Sequence, residues 1–202
     1  MVRSILVGAL AAPAAAAFAA TILVFGDSLS TGYGMPREQG WVQLLEQRLQ
    51  AEKLNYKVVN ASISGETTAG GRSRIEAALK AHRPALVILE LGGNDGLRGS
   101  DPRAIRENLE AITDACRRAG ARVLLVGIRV PPNYGAAYAE QFQEVFTAVA
   151  RGRKLPLVPF LLDGFSYNRE LFLEDGIHPT AAAQPQMLET VWKELRPLLK
   201  PQ

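Results

Sequence analysis

Three side chains with the chemistry of a hydrolytic serine site lie in two distant parts of the sequence: a hydroxyl at Ser28, and a carboxylate at Asp175 with an imidazole at His178. A serine hydroxyl is a weak nucleophile and needs a base within hydrogen-bond reach. His178 is the only plausible base, because the other histidine, His82, lies in a basic turn before an apolar run. Asp175 precedes His178 by three residues, so the chain can fold back and let the carboxylate orient the ring. This set predicts acyl transfer through an acyl-enzyme.

Acyl transfer also needs hydrogen-bond donors for the oxyanion of the tetrahedral intermediate. Three candidates follow apolar runs: the backbone N–H groups of Ser28 and Gly65, and the side-chain amide of Asn94. Each such donor is typically worth about 3–4 kcal/mol of transition-state stabilisation. We therefore predict an oxyanion hole made by Ser28, Gly65 and Asn94.

Each of these motifs also has a purely structural interpretation. Serine often caps a helix, and Asp-Gly and Asn-Asp pairs are common turn signals. His178-Pro179 is also compatible with a helix start. These alternatives become improbable together, because every motif falls where an apolar run ends. Two further acids, Asp27 and Asp95, are interpreted as structural carboxylates that accept hydrogen bonds from nearby backbone N–H groups.

The elements that must position these groups alternate along the chain. Continuous apolar runs predict five strands, at residues 21–25, 56–61, 85–91, 122–128 and 157–160. Helical periodicity or capping signals predict helices at residues 41–53, 67–80, 102–119 and 138–151, and a last helix from about residue 180. Buried runs alternating with helices indicate a five-stranded parallel sheet covered on both faces, an α/β fold of three layers in one domain. The polar motifs that follow the strands then lie together at one edge of the sheet.

Composition excludes several classes of function. The net charge is +3, and the basic residues are scattered among acidic ones, so no nucleic-acid partner is expected. One cysteine excludes an intramolecular disulfide, and with only two histidines a metal site is not expected. We expect no cofactor.

The N-terminus has the pattern of a secretory signal peptide. Arg3 precedes an uncharged, alanine-rich stretch that ends in Ala17-Phe18-Ala19, an A-x-A cleavage pattern. The alternative is a membrane anchor, but the stretch is weakly hydrophobic and contains Pro13. We predict a signal peptide at residues 1–20, cleaved after Ala19 or Ala20, and a hydrolase domain at residues 21–202. The mature chain is then periplasmic or secreted, without stable membrane insertion.

The four motifs together resemble the blocks of the SGNH (GDSL) hydrolase family. The matching segments, which span nearly the whole mature chain, are Gly26-Asp27-Ser28-Leu29-Ser30, Gly65, Gly92-Gly93-Asn94-Asp95 and Asp175-Gly176-Ile177-His178-Pro179. Neighbouring segments are similar to a small periplasmic member from Gram-negative bacteria with thioesterase, lysophospholipase and arylesterase activity. The resemblance implies a flavodoxin-like strand order of 2-1-3-4-5. It also implies Ser28 as nucleophile, His178 as base, Asp175 as its partner, and Gly65 and Asn94 as oxyanion donors. Thr180 departs from the family, which commonly has asparagine after His-Pro.

The expected partner is a small-molecule acyl ester or thioester, hydrolysed by a monomer. Residues 29–35, 97–99 and 131–138 mix glycine with apolar side chains, which predicts a permissive groove for medium to long acyl chains. Two alternatives remain open at this point: a carbohydrate O-deacetylase with the same triad, and a non-catalytic binding module of flavodoxin-like topology.

Overall fold

Residues 19–199 of the 202-residue chain are described by a computed structural model. The signal peptide predicted for residues 1–20 therefore lies almost wholly outside the described residues. Within them, the strands are β1 (Ala20–Gly26), β2 (Tyr56–Asn60), β3 (Leu86–Glu90), β4 (Arg122–Val126) and β5 (Leu157–Val158). They form one parallel sheet in the order β2-β1-β3-β4-β5. The predicted α/β class and the flavodoxin-like strand order are both confirmed.

The helices of the described part are α1 (Ser28–Thr31), α2 (Trp41–Ala51), α3 (Thr68–His82), α4 (Gly93–Leu97), α5 (Pro102–Arg118), α6 (Ala136–Arg153) and α7 (Gln184–Leu195). The connection from β1 to β2 through α2 runs opposite to the later connections through α3, α5 and α6. Because such crossovers are right-handed, the two directions put α2 and the other three helices on opposite faces. In agreement, α3 packs against α5 and α5 against α6, while α7 packs against α2.

The strands are apolar because helices cover both faces of the sheet. Every residue of β3 is buried, and so are five of the seven residues of β1. Trp41 of α2 is also buried, and its indole N–H donates to the Leu29 carbonyl oxygen at 3.1 Å. The core therefore reaches up to the turn that carries Ser28.

Local sequence signals explain where the long helices α3 and α5 begin. The Asp101 side chain accepts a hydrogen bond from the Arg103 N–H at 2.9 Å, so it caps α5 with Pro102 in the first turn, as predicted. The Thr67 side chain caps α3 in the same way, through the Gly70 N–H at 3.2 Å.

The structure differs from the sequence prediction in detail. Two exits predicted as loops contain the short helices α1 and α4. Strand β5 has two residues rather than four, because Pro159 has no N–H to donate to the sheet. The last helix begins at Gln184, after a 3₁₀ turn at Ala181–Ala183, with Pro185 in its first turn.

The direction in which strands are added to the sheet reverses at β1. The chain adds β2 on one side of β1 and then adds β3, β4 and β5 on the other side. Open α/β sheets bind ligands at such a switch point, beyond the carboxyl ends of the strands. Ser28 follows β1 and Asn94 follows β3, so both flank the switch point.

Candidate active site

The three residues predicted as a triad form one hydrogen-bonded chain. Nε2 of His178 lies 2.8 Å from Oγ of Ser28, although the two residues are 150 positions apart. Nδ1 of the same ring lies 2.7 Å from Oδ2 of Asp175. With Nδ1 protonated toward the carboxylate, Nε2 can accept the proton of the serine hydroxyl.

Backbone hydrogen bonds fix the Asp175 carboxylate. Its Oδ1 accepts from the N–H groups of Ile177 at 2.8 Å and His178 at 3.0 Å. Burial alone would raise the pKa of Asp175, but these hydrogen bonds and the His178 ring outweigh it and hold the pKa at about 2. The carboxylate therefore stays ionised at neutral pH.

The loop that carries both residues is closed by one arginine. The Arg169 guanidinium donates to three successive carbonyl oxygens, those of Phe172 at 3.0 Å, Leu173 at 2.6 Å and Glu174 at 2.7 Å. The Leu173 N–H then donates to the His178 carbonyl oxygen at 2.8 Å. The sequence analysis did not identify Arg169, because no local signal shows that an exposed arginine donates hydrogen bonds across a loop. These three hydrogen bonds are called the Arg169 brace below.

The turn between the acid and the base requires glycine. Gly176 has φ of +69°, in the left-handed region that residues with a Cβ rarely adopt. The Asp-Gly pair therefore forms a turn, which was its structural interpretation. The same turn also places the Asp175 carboxylate in contact with the His178 ring.

Two of the three predicted oxyanion donors are unused by the protein. Neither the Ser28 N–H nor the Gly65 N–H donates a hydrogen bond to another residue in the 19–199 range. Gly65 has φ of +79°, and nothing lies within 4 Å of the position that its Cβ would take. Both N–H groups are therefore available to a ligand.

The Asn94 amide, in contrast, already has two acceptors. Its Nδ2 lies 3.1 Å from Oδ2 of Asp27 and 3.0 Å from the Glu66 carbonyl oxygen. These contacts fix the amide on the β3 side of the switch point, next to the Gly65 segment. An oxyanion must share or take over one of these N–H groups.

Two buried acids lie beneath the nucleophile. Oδ1 of Asp27 accepts from the Leu29 N–H at 3.0 Å, the predicted structural role, and burial raises the pKa of Asp27 to about 6. Oε2 of Glu90 accepts from Oγ of Ser30 at 2.7 Å and from the Asp27 N–H at 3.3 Å. Burial, with the negative charge of Asp27, raises the pKa of Glu90 well above its usual range. Glu90 was missed, although a glutamate inside the apolar run of residues 85–91 was a visible signal.

Asp95 also has the structural role predicted for it. It is buried, and its carboxylate accepts from the N–H of Thr68 at 2.8 Å and from the hydroxyl of the same residue at 2.6 Å. It thus ties α3 to α4, beside Asn94.

A cavity of about 360 Å³ opens beside the triad. Its wall includes Ser28, His178 and Asn94, and it is otherwise mainly apolar. Apolar and aromatic lining residues include Leu29, Leu97, Ile128, Val130, Pro131, Pro132, Phe160, Leu162, Tyr167, Phe172 and Ile177. The three segments predicted to form the acyl groove, residues 29–35, 97–99 and 131–138, each contribute to this wall. The segment from Phe160 to Phe172 contributes as well and was not predicted, because its irregular sequence shows no periodic signal.

The second histidine and the cysteine do not line this cavity, whereas Asp27, Arg129 and Ser166 do. His82 is exposed at the end of α3, and Cys116 is fully buried, with its pKa raised by burial to about 12. Among residues 19–199, no cluster of three or more His, Cys, Asp or Glu side chains is arranged to hold a metal ion. No helix within that range is long and apolar enough to cross a membrane.

Comparison with known proteins gives a family match over most of the chain. Residues 24–184 match the GDSL-like Lipase/Acylhydrolase family. The matched range includes Ser28, Gly65, Asn94, Asp175 and His178.

Individual relatives cover nearly the same range. The chain is 52% identical to Esterase TesA of Pseudomonas aeruginosa over 183 residues, 91% of each protein. It is 42% identical to Thioesterase 1/protease 1/lysophospholipase L1 of Escherichia coli over 184 residues, which are 91% of this chain and 87% of that protein.

Solved structures agree with these matches. The crystal structure of TesA superposes with a TM-score of 0.87, at 52% identity over 89% of this chain and 99% of that one. The esterase EstA from Pseudoalteromonas sp., inhibited by monoethylphosphonate, gives a TM-score of 0.84, at 36% identity over 88% of this chain and 97% of that one.

Proposed function

The chain belongs to the GDSL-like lipase/acylhydrolase family, and on that premise we propose that it hydrolyses carboxylic esters and thioesters through Ser28, His178 and Asp175. The observation that carries the proposal is the continuous chain of contacts from Ser28 to His178 at 2.8 Å and from His178 to Asp175 at 2.7 Å. An unperturbed serine needs such a base, and the base needs such a carboxylate.

In the first half-reaction, Oγ of Ser28 attacks the acyl carbon while His178 Nε2 takes the hydroxyl proton. The tetrahedral intermediate collapses as the imidazolium gives that proton to the leaving alkoxide or thiolate, and the acyl-enzyme remains. In the second half-reaction, His178 deprotonates a water that attacks the acyl carbon. Collapse of the second intermediate returns the proton to Ser28 and releases the carboxylic acid. Asp175 stays ionised and stabilises the imidazolium in both halves.

The developing oxyanion is proposed to bind the N–H groups of Ser28 and Gly65, which have no other acceptor among the described residues. Asn94 is proposed as a third donor. The growing negative charge would draw one Asn94 N–H away from its neutral acceptor, the Glu66 carbonyl, while the other stays on Asp27. Preorganised donors of this kind act most strongly where water is excluded, as in a lined cavity.

The acyl chain is proposed to lie in the apolar cavity beside Ser28. A volume of about 360 Å³ with a mainly apolar wall favours chains longer than acetyl. The relatives named esterase and thioesterase/lysophospholipase support substrates with a single acyl chain on an oxygen or sulfur leaving group.

The nucleophile is tested with Ser28→Ala and an organophosphonate. The wild-type protein should gain one phosphonyl group by mass spectrometry and lose activity, whereas Ser28→Ala should be unlabelled and inactive with an unchanged melting temperature. Thr31→Ala removes a nearby hydroxyl on the same short helix and serves as the labelling control. Wild-type turnover by Ser28→Ala would refute the assignment.

The substrate class is tested with p-nitrophenyl esters and acyl-CoA thioesters of increasing chain length. We expect kcat/KM to rise from acetyl to medium chains and to stay high for long ones. Cleavage of acetyl esters alone would instead indicate an O-deacetylase, and failure of every ester together with failure of phosphonate labelling would indicate a binding module.

We also propose that the chain is exported and that the mature form acts as a monomer. Export rests on the signal-peptide pattern of residues 1–20. Fractionation of expressing cells, followed by gel filtration of the exported protein, tests both proposals.

A further inference from the structure

An aromatic ring covers the proposed catalytic imidazole. The centroids of the Tyr33 and His178 rings are 4.4 Å apart, and their planes are inclined by 36°. Tyr33 is half exposed, whereas the His178 side chain is 18% exposed. Tyr33 is absent from the lining of the cavity described above, so it contacts the base without facing the acyl chain.

The loop that carries Tyr33 is shaped for this contact. Gly32 and Gly34, on either side of it, have φ of +77° and +75°, so the chain turns sharply at both positions. A Cβ on Gly34 would lie 2.6 Å from Cδ1 of Leu173. Because Leu173 belongs to the loop that Arg169 closes, this glycine lets the segment after Ser28 pack directly onto the segment that carries His178.

We propose that Tyr33 is a positioning residue for His178, which rests on the function proposed above. Its ring limits rotation of the imidazole away from Ser28. Its π face also favours the imidazolium that forms when the proton moves from Ser28 Oγ to His178 Nε2, since aromatic faces attract cations. Tyr33 forms no bond and exchanges no proton.

The other charges around the imidazole act in addition to Tyr33. Asp175 contacts Nδ1 at 2.7 Å, and the Asp27 carboxylate interacts with the ring through its charge. Neither group restrains the face of the ring that Tyr33 covers.

The test compares Tyr33→Phe and Tyr33→Leu, since phenylalanine keeps the π face and leucine keeps only bulk. For p-nitrophenyl butyrate, Tyr33→Leu should lower kcat about 3- to 10-fold, in line with the size of exposed cation–π contacts together with looser positioning. KM should be unchanged, because the side chain does not line the acyl cavity. Tyr33→Phe should restore kcat to within about 2-fold of wild type on the same grounds.

A second variant tests the position of the loop without changing the Tyr33 side chain. Gly34→Ala should push the loop off Leu173 and lower kcat by a similar factor, and Gly34→Ala with Tyr33→Leu should be no slower than either alone. Wild-type kcat in Tyr33→Leu would overturn the proposal, as would an equal loss in Tyr33→Phe or a change confined to KM. Because Ser28→Ala tests the nucleophile separately, each of these results leaves the hydrolase assignment standing.

Discussion

At the scale of single residues, Asp175 is a carboxylate that its surroundings keep ionised. Two backbone N–H groups and the His178 ring hold its pKa at about 2, against the effect of burial. Its hydrogen bonds favour the folded state fully above the unfolded pKa of 3.8 and are lost as the pH falls toward 2. The Asp175 carboxylate should therefore stay ionised well below neutral pH.

Replacing Asp175 with asparagine tests this role. The amide has one acceptor where the carboxylate has two, so it cannot serve the backbone N–H groups and the ring together, and His178 loses its fixed tautomer. We expect kcat to fall about 10²- to 10⁴-fold, with a small change in KM. Steady-state kinetics on a p-nitrophenyl ester measure this, and an activity within 3-fold of wild type would contradict it.

Asn94 gives a second prediction at this scale. Asn94→Ala removes a proposed oxyanion donor but leaves the N–H groups of Ser28 and Gly65. We expect kcat to fall about 10²- to 10³-fold with KM nearly unchanged. Asp101→Asn, an exposed helix cap on α5, is a suitable control for stability and activity. An Asn94→Ala enzyme that loses substrate affinity instead of kcat would show that the amide binds the ground state.

These residues differ in how well their sequence context identified them. The types and order of Ser28, Asp175 and His178 suffice to predict a triad, because the chemistry demands those groups. Ser28 follows β1 directly, whereas Asp175 and His178 lie in the irregular loop between β5 and α7 and not, as predicted from the sequence, at the end of a strand. Tyr33 has no local signal in the sequence, and Glu90 is marked only as a charged residue inside an apolar run. Their contacts are with residues 60 or more positions away, which a single sequence does not reveal.

At the scale of elements, the carboxyl end of β3 places Glu90 under the turn after β1. Its Oε1 has no hydrogen-bond partner among the described residues, while Oε2 accepts from Ser30 and Asp27. A raised pKa means that the folded state prefers the neutral acid. This contribution to stability is fully present below the unfolded pKa of 4.5 and is lost as the pH rises through the folded value.

Glu90→Gln should therefore change the pH dependence of stability. Glutamine resembles the neutral acid and keeps an acceptor for Ser30 and Asp27. We expect the variant to match wild type at pH 5, within about 1 kcal/mol, and to be the more stable of the two at pH 8. Urea unfolding at both pH values measures this. The control variant Asp101→Asn should not be more stable than wild type at pH 8. If Glu90→Gln is destabilised equally at both pH values, the unpaired amide group of the glutamine, and not the charge of the glutamate, determines its stability.

The segment between β5 and α7 forms one wall of the cavity and should set chain length. Leu162→Trp adds bulk to that wall without touching the triad. We expect kcat/KM for long acyl esters to fall at least about 10-fold while that for acetyl and propionyl esters stays within 2-fold, because lost apolar contact grows with every methylene. The chain-length panel measures this, and a uniform loss across chain lengths would place the acyl chain elsewhere.

The major strands and helices were predictable because their signals are periodic and long. Strand β3 is wholly apolar up to Glu90, and α5 begins at an Asp-Pro cap. The short helices α1 and α4 were not predictable. Each is a single turn held by its neighbours, the first through the Asp27 side chain, rather than by helical propensity.

At the scale of the whole molecule, β1 links the predicted export signal to the turn that carries Ser28. Ala20 pairs with Tyr56 at the start of the sheet, and its N–H donates to the Asn55 carbonyl oxygen at 3.1 Å. Cleavage after Ala19 would keep this pair, whereas cleavage after Ala20 would remove it.

We therefore predict that the exported protein begins at Ala20. N-terminal sequencing of the secreted or periplasmic form measures the start directly, with the full-length precursor of an Ala17→Asp, Ala19→Asp variant as the control for processing. A start at Thr21 would contradict this prediction.

The brace formed by Arg169 has a consequence for heat inactivation. Ser28 directly follows a strand of the buried sheet, whereas Asp175 and His178 lie in an irregular loop closed by the exposed Arg169 guanidinium. Regions with little buried surface open at a lower free-energy cost than the core. On warming, hydrolysis should consequently disappear several degrees before the far-ultraviolet circular dichroism changes, and it should return on cooling. Arg169→Met should widen that interval without moving the melting point of the fold.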